Sequence, residues 1–221
     1  MDLLKAISER HSVRSYTDRP ITGSVLSDLR RLIDRANADS GLHIQLVLDE
    51  PQAFDCRMAH YGSFRNVRSY IALIGRDDKE LEEKCGYYGE RIVIGAQGLG
   101  LNTCWVALSY KKVEGFYTIA EGEKLMLVIA IGYGATDGKE HRSKSREKVA
   151  RNLKDAPAWF LSGVDCALLA PTAMNQQKFI LEYADGKVIA KAKHSPCSKI
   201  DLGIVKYHFE IGSGKGHDIW A

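Results

Sequence analysis

Cysteine is scarce in this 221-residue chain, and its five copies form no pattern. Cys56, Cys85, Cys104, Cys166 and Cys197 are scattered, odd in number and nowhere spaced as C-x-x-C. That argues against a disulfide framework or a zinc ligand set, so no metal is expected and a reducing cytoplasm is the simplest home. Long apolar runs are also missing. None approaches the roughly 18 residues of a membrane span, and residues 1–14 lack the apolar core of a signal peptide, so no membrane partner is expected. Charge of one sign is in short supply: 31 basic against 28 acidic residues leave a formal net charge of +3. So mild a surplus gives no electrostatic reason to expect nucleic acid. What is present, 45% hydrophobic and 27% charged residues, is the composition of an ordinary globular domain.

Periodicity sketches the elements. Leu3, Leu4 and Ile7 suggest a short first helix. Thr22 can cap a second, in which Val25, Leu26, Leu29, Leu32, Ile33 and Ala36 share one face. Strands are expected at 44–48 and 70–74. Residues 80–101 read as a long buried helix, with Gly95, Gly98 and Gly100 placed where something packs close to the backbone. A helical pattern follows at 113–120. The apolar run 125–131 reads as a central strand. An amphipathic stretch precedes Pro171. Asp185-Gly186 marks a hairpin turn between strands at 179–183 and 187–192. A last strand is expected at 205–211, and the glycine-rich 212–221 as a flexible tail. The segments after Pro20 and after Pro157 share the order helix, loop, strand. Superposing them takes a shift of about 135 residues, a repeat hypothesis that any two α/β units would satisfy as loosely.

Three clusters can carry chemistry. In Arg10-His11-Ser12-Val13-Arg14, an extended backbone would turn Arg10, Ser12 and Arg14 to one side, a donor set suited to phosphate. A solvated basic turn is the plainer alternative. His141-Arg142-Ser143-Lys144-Ser145-Arg146 follows the apolar strand, where open α/β sheets place ligands. Taken alone, it reads more simply as a hydrated loop. In the third, Ala170-Pro171-Thr172-Ala173-Met174-Asn175-Gln176-Gln177, Pro171 ends a helix, and Thr172, Asn175 and Gln177 then offer neutral donors and acceptors. Those suit the edge of a heteroaromatic ring, with a capping turn as the alternative.

Together these motifs resemble the FMN-dependent nitroreductases. Residues 10–14 resemble that family's arginine–x–serine–x–basic signature. Residues 170–177 resemble its proline–serine–x–x–asparagine–x–glutamine loop, and 95–105 its central helix and following turn. Ile129-Ala130-Ile131-Gly132-Tyr133 with Lys144 and Arg146 resembles the closing strand and basic pair. The order differs. Ordinary members carry the amide loop early, where this chain has Ala38-Asp39-Ser40-Gly41-Leu42. Here it comes late, as in the Thermotoga-type subfamily.

The resemblance implies an α+β fold: a three-layer α/β/α sandwich with a mixed, largely antiparallel sheet. It implies one domain over 1–211, made of two half-repeats (about 1–135 and 136–211) that form an internal pseudo-dimer. The expected cofactor is FMN, with NADH or NADPH as reductant and a nitroaromatic, quinone or similar small electron acceptor. Arg10, Ser12, Lys144 and Arg146 would hold the phosphate and ribityl chain. Arg14, with His11 close by, would stabilise charge on the ring. Trp105, Val106, Ala107 and Leu108 would cover one face. Pro171, Thr172, Ala173, Asn175 and Gln177 would contact the ring edge. Tyr87 and Tyr88 are pocket or core. The protein itself supplies no acid, base or nucleophile. It would be a monomer imitating the family dimer, or a homodimer. The alternatives are an FMN carrier or sensor without turnover, a basic interaction module without cofactor, and a relative that performs another flavin reduction.

Overall fold

The computed structural model describes residues 2–221. The chain divides into two compact units. The first holds residues 9–81 and 92–140; the second holds 2–8, 82–91 and 141–221.

The first unit is built on a four-stranded antiparallel sheet of order β1-β2-β4-β3. Its strands are β1 (Gln45–Val47), β2 (Tyr70–Arg76), β3 (Asn102–Val106) and β4 (Glu123–Gly132). The central place expected for 125–131 is where β4 lies, between β2 and β3, with Val128, Ile129 and Ala130 fully buried. A nearly all-apolar strand fits only there, because both its faces are covered. Helix α2 (Gly23–Ser40) leads into β1. Thr22 takes the extended cap conformation without a side-chain bond, and Gly41 closes the helix in the left-handed region at φ 72°. Asn37 then anchors the entry to β1, accepting from Ile44 N–H at 2.7 Å and donating to its carbonyl at 2.9 Å. Short α3 (Arg57–Tyr61) lies in the linker to β2. The core here gathers Val13, Tyr16, Val47, Phe54, Phe64, Tyr70 and Val128.

Helix α4 (Leu81–Gly98) contributes residues 82–91 to the second unit, whose first segment comes from α1 (Leu3–Glu9). The rest comprises α5 (Arg146–Val149), β5 (Ala150–Arg151), α6 (Ala158–Ala167), β6 (Phe179–Ala184), β7 (Lys187–Ala192) and α7 (Ser198–Ser213). β5 runs parallel to β6, and β6 pairs antiparallel with β7. Asp185 (φ 48°) and Gly186 (φ 78°) both sit in the left-handed region that the two-residue hairpin turn requires. Phe160 and Phe209 are fully buried with ring centroids 5.7 Å apart, and Trp159 stands edge-on to Tyr183 at 5.8 Å. Each fully buried Phe contributes about 2–3 kcal/mol of burial energy.

Four expectations fail. Residues 205–211 are not a strand but part of α7. Read from 198, burial is continuous over 200–205 and returns one turn later at 208 and 209, as on a helix packed on more than one side. Gly203 also has no room for a side chain, since a Cβ there would lie 2.1 Å from Glu83 O. Residues 113–120 are irregular rather than helical. The Gln45 amide accepts from Thr118 N–H at 3.0 Å and donates to its carbonyl at 2.7 Å, replacing the bonds of a helix, and Gly115 sits at φ 85°. Residues 102–106, read as the turn after the central helix, form β3. The tail 212–221 is seated: Trp220 packs 5.1 Å from Phe209, its Nε1–H donates to Glu210 Oε1 at 2.6 Å, and Ala221 N–H donates to Val188 O at 3.0 Å. The glycines misled there, because Gly212 is needed for close approach to Cys166 and Ser162.

Candidate functional site

The candidate residues fall into two groups, one in each unit. In the first unit, residues 11–16 run alongside the sheet edge. Ser12 bridges Thr103 of β3 in parallel, and Val13 N–H donates to Thr103 O at 3.0 Å. Val13 is fully buried and pins the segment, while Arg14 is exposed. Arg10 is buried. His11 Nδ1 lies 3.0 Å from Asp137 O, and Gly138 (φ 78°) comes so near that a Cβ would meet His11 Cβ at 2.8 Å.

The thiol of Cys104 reports how these side chains gather. Burial pushes it up, and Arg14, a hydrogen bond from Ser12, and Arg10 pull it back down. Arg10, Ser12 and Arg14 all lie near enough to act on that thiol. Arg14 lies over the Phe64 ring at 5.9 Å and forms no ion pair among the described residues. β3 ends at Val106, which is buried; Trp105 is half-buried, and Ala107 and Leu108 are exposed.

In the second unit, the other two sequence clusters meet. Lys144 N–H donates to Gln177 Oε1 at 2.8 Å, and Lys144 Nζ reaches the carbonyls of Gln176 and Gln177. Gln177 Nε2 donates to Arg142 O and to Asn175 Oδ1, both at 2.8 Å. Asn175 Nδ2 donates to the same Arg142 carbonyl at 2.9 Å, and buried Thr172 accepts Gln177 N–H on Oγ1 at 2.9 Å. Gln177 is thereby buried and committed to the loop, so it positions its neighbours. Arg146 grips Asp165 through Nε at 2.5 Å and through Nη2.

Sequence reasoning missed Asp201, in the first turn of α7. Its Oδ1 accepts Ala173 N–H at 2.9 Å, and its Oδ2 is buried with no hydrogen-bond partner. Nothing local marks it, because it sits in a stretch to which no element is assigned. The backbone that Asp201 holds is strained. Met174 (φ 52°), Asn175 (φ 52°) and Gln177 (φ 45°) are all left-handed without being glycine. Each such residue costs roughly 1–2 kcal/mol, and this kind of strain collects at functional sites. Tyr87, weighed as a pocket residue, donates to Glu210 Oε2 at 2.5 Å and stands edge-on to Tyr207. A cavity of about 430 Å³ in the first unit, bounded by Tyr16, Ile21, Asn66, Arg68 and Ile131 among others, includes none of the predicted residues.

A family model described as "Putative TM nitroreductase" matches residues 2–213. The chain belongs to this nitroreductase family. The family is one of oxidoreductases, and membership places the chain in that class. Its fold recurs in a "putative nitroreductase" of Thermotoga maritima MSB8, 21% identical with a TM-score of 0.70, over 96% of this chain and 83% of that one. A "Putative NADH dehydrogenase/NAD(P)H nitroreductase" of Bacteroides thetaiotaomicron VPI-5482 is 21% identical with a TM-score of 0.53, over 68% of this chain and 96% of that one. A "putative nitroreductase in complex with FMN" of Desulfovibrio desulfuricans is 18% identical with a TM-score of 0.52, over 71% and 98%. No match was found among curated proteins. The nitroreductase fold, α+β with mixed, largely antiparallel sheets, is as the motifs implied. Among the described residues no helix is long and apolar enough to cross a membrane.

Proposed function

We propose that this nitroreductase binds FMN and passes hydride from NADH or NADPH to a small acceptor such as a nitroaromatic or quinone. The observation that carries the reading is the joining of 142–146 to 172–177 into one basic, amide-rich loop pair, with Lys144 N–H on Gln177 Oε1 at 2.8 Å. Two motifs more than thirty residues apart meet as one ligand-facing unit requires.

Each unit offers donors of a kind suited to a phosphorylated flavin, with roles redistributed. A phosphate needs cations that no carboxylate has already neutralised. Arg14 meets that condition, and so does Lys144, whose ammonium rests on carbonyls alone. Ser12 supplies a hydroxyl. Arg10 and His11 would flank it. Arg146, held by Asp165, would act by orientation unless the ligand displaces that carboxylate. Pro171, Thr172, Ala173 and Asn175 would present the strained loop to the ring edge, with Gln177 fixing its shape. Trp105, Val106, Ala107 and Leu108 would cover one face of the ring. When bound, FMN supplies the redox chemistry, and the chain supplies position and charge. Arg14 offers a fixed positive charge against the negative charge that reduction adds.

One FMN per chain is expected, in a monomer that imitates a dimer or in a homodimer; light scattering with flavin stoichiometry separates the two. The decisive experiment is an absorbance spectrum of the purified chain with FMN, followed by NADPH or NADH under argon. Flavin bands bleached by the nucleotide and restored by acceptor, with ping-pong kinetics, support the proposal. Protein that stays colourless after FMN soaking, with no thermal shift, refutes it. Bands that no nucleotide bleaches would make the chain a flavin carrier.

A further inference from the structure

We propose that Lys148, Lys178 and Lys193, grouped with Lys144 at the open end of the β6–β7 hairpin, form a phosphomonoester site for the 2′-phosphate of NADPH. The inference rests on a nicotinamide nucleotide being the reductant, as proposed above.

Backbone geometry fixes the grouping. Lys178 immediately precedes β6 and Lys193 immediately follows β7. Lys193 N–H donates to Lys178 O at 2.8 Å, continuing the ladder one pair beyond Phe179 and Ala192. Directly opposed residues in such a ladder lie about 5 Å apart. Lys193 Nζ reaches Lys148 O at 3.4 Å, which brings in α5. Lys144 Nζ sits on the Gln176 and Gln177 carbonyls, the residues just before Lys178. The four charges feel one another: after desolvation, Lys193, Lys148 and Lys178 are what push the Lys144 ammonium towards losing its proton. Among the described residues none of the four forms an ion pair.

Like charges set opposite each other in a ladder are destabilising. A hairpin end that carries them without a carboxylate is complementary to an anion. A phosphomonoester brings about −1.5 to −2 charges at pH 7, which three ammoniums more than neutralise. NADPH has this group and NADH has a hydroxyl in its place. The flavin site proposed above draws on Arg14, Ser12 and Lys144, which leaves Lys148, Lys178 and Lys193 for a second phosphate.

The test titrates 2′,5′-ADP and 5′-AMP into the FMN-loaded chain and into its K148A/K178A/K193A variant. Isothermal calorimetry reads nucleotide binding, and flavin fluorescence reads FMN affinity. The wild type is expected to bind 2′,5′-ADP about tenfold or more tighter than 5′-AMP, and the variant to lose that preference. FMN affinity should move less than about threefold, and kcat/KM should fall for NADPH but not for NADH. The single variant K193A, which removes only an exposed side chain, should show a partial loss. Equal binding of the two nucleotides by wild type, or a preference that survives the triple variant, overturns the proposal. So does a variant that loses FMN instead, since the lysines would then hold the flavin phosphate. If wild type takes up no FMN, the flavin reading fails by itself, and the same titration on the flavin-free chain still decides the lysine site.

Discussion

Asp201→Asn should erase a pH dependence of stability that the wild-type chain carries between pH 4 and 7. Asp201 is 4% exposed, with one oxygen on Ala173 N–H and the other buried without a partner. Desolvation raises its carboxyl from 3.8 to about 6, and the Ala173 bond opposes that rise. The Cys197 thiol, which burial and then Asp201 push up, stays neutral in this range. The sign follows from proton counting. Below pH 4 both folded and unfolded chains hold the proton. Between pH 4 and 6 only the folded chain does, so stability falls as pH rises. The full loss is about 3 kcal/mol once pH passes 6, at about 1.4 kcal/mol per pH unit. Asparagine keeps the acceptor for Ala173 and carries no charge. The variant should match wild type at pH 4 within about 1 kcal/mol and exceed it at pH 7.5 by up to about 3 kcal/mol, or roughly 6–12 °C in Tm. Urea unfolding of both proteins at pH 4, 5, 6 and 7.5 reads this directly. A stability difference that stays flat across that range would refute the reasoning, because desolvation of a charge is the only source invoked.

Other outcomes follow from single contacts. Arg14→Ala should weaken FMN binding about tenfold by flavin fluorescence, yet cost only about 0.5–1 kcal/mol of stability, its stacking on Phe64 being exposed. Gly203→Ala places a Cβ 2.1 Å from Glu83 O and 2.6 Å from Tyr87 N, backbone atoms that cannot yield. It should cost about 3 kcal/mol or more in chemical denaturation, or prevent folding. Gly186→Ala meets nothing within 4 Å, so only its φ of 78° resists. Its cost should be about 1–2 kcal/mol, and a larger loss would mean that the turn bears contacts beyond its own dihedral.

The parts of the fold legible in the sequence are those where one local rule suffices. The apolar run around Val128 admits only a central strand, the face of Leu29, Ile33 and Ala36 admits only a helix, and Asp185-Gly186 admits only a tight turn. The failures are places where a distant partner decides. Gln45 takes the Thr118 peptide away from a helix, and Gly203 declares α7 only through the backbone of Glu83. Trp220 orders a tail whose composition reads as loose. The motif residues themselves were visible, but their division of labour was not. Gln177 reads as a ligand contact, and its hold on Lys144, a hydrogen bond across 33 residues, could not be read from the sequence.

The parallel seating of Ser12 against Thr103 gives the N-terminal signature a second duty. β3 is the last strand of its sheet, and an uncovered terminal strand is a template on which other chains can assemble. The segment proposed to offer Arg14 to a flavin is also the guard along that border. Substitutions that loosen it would therefore be purged twice over, once for lost binding and once for clumping, and preparations stripped of ligand are where such clumping should first be looked for.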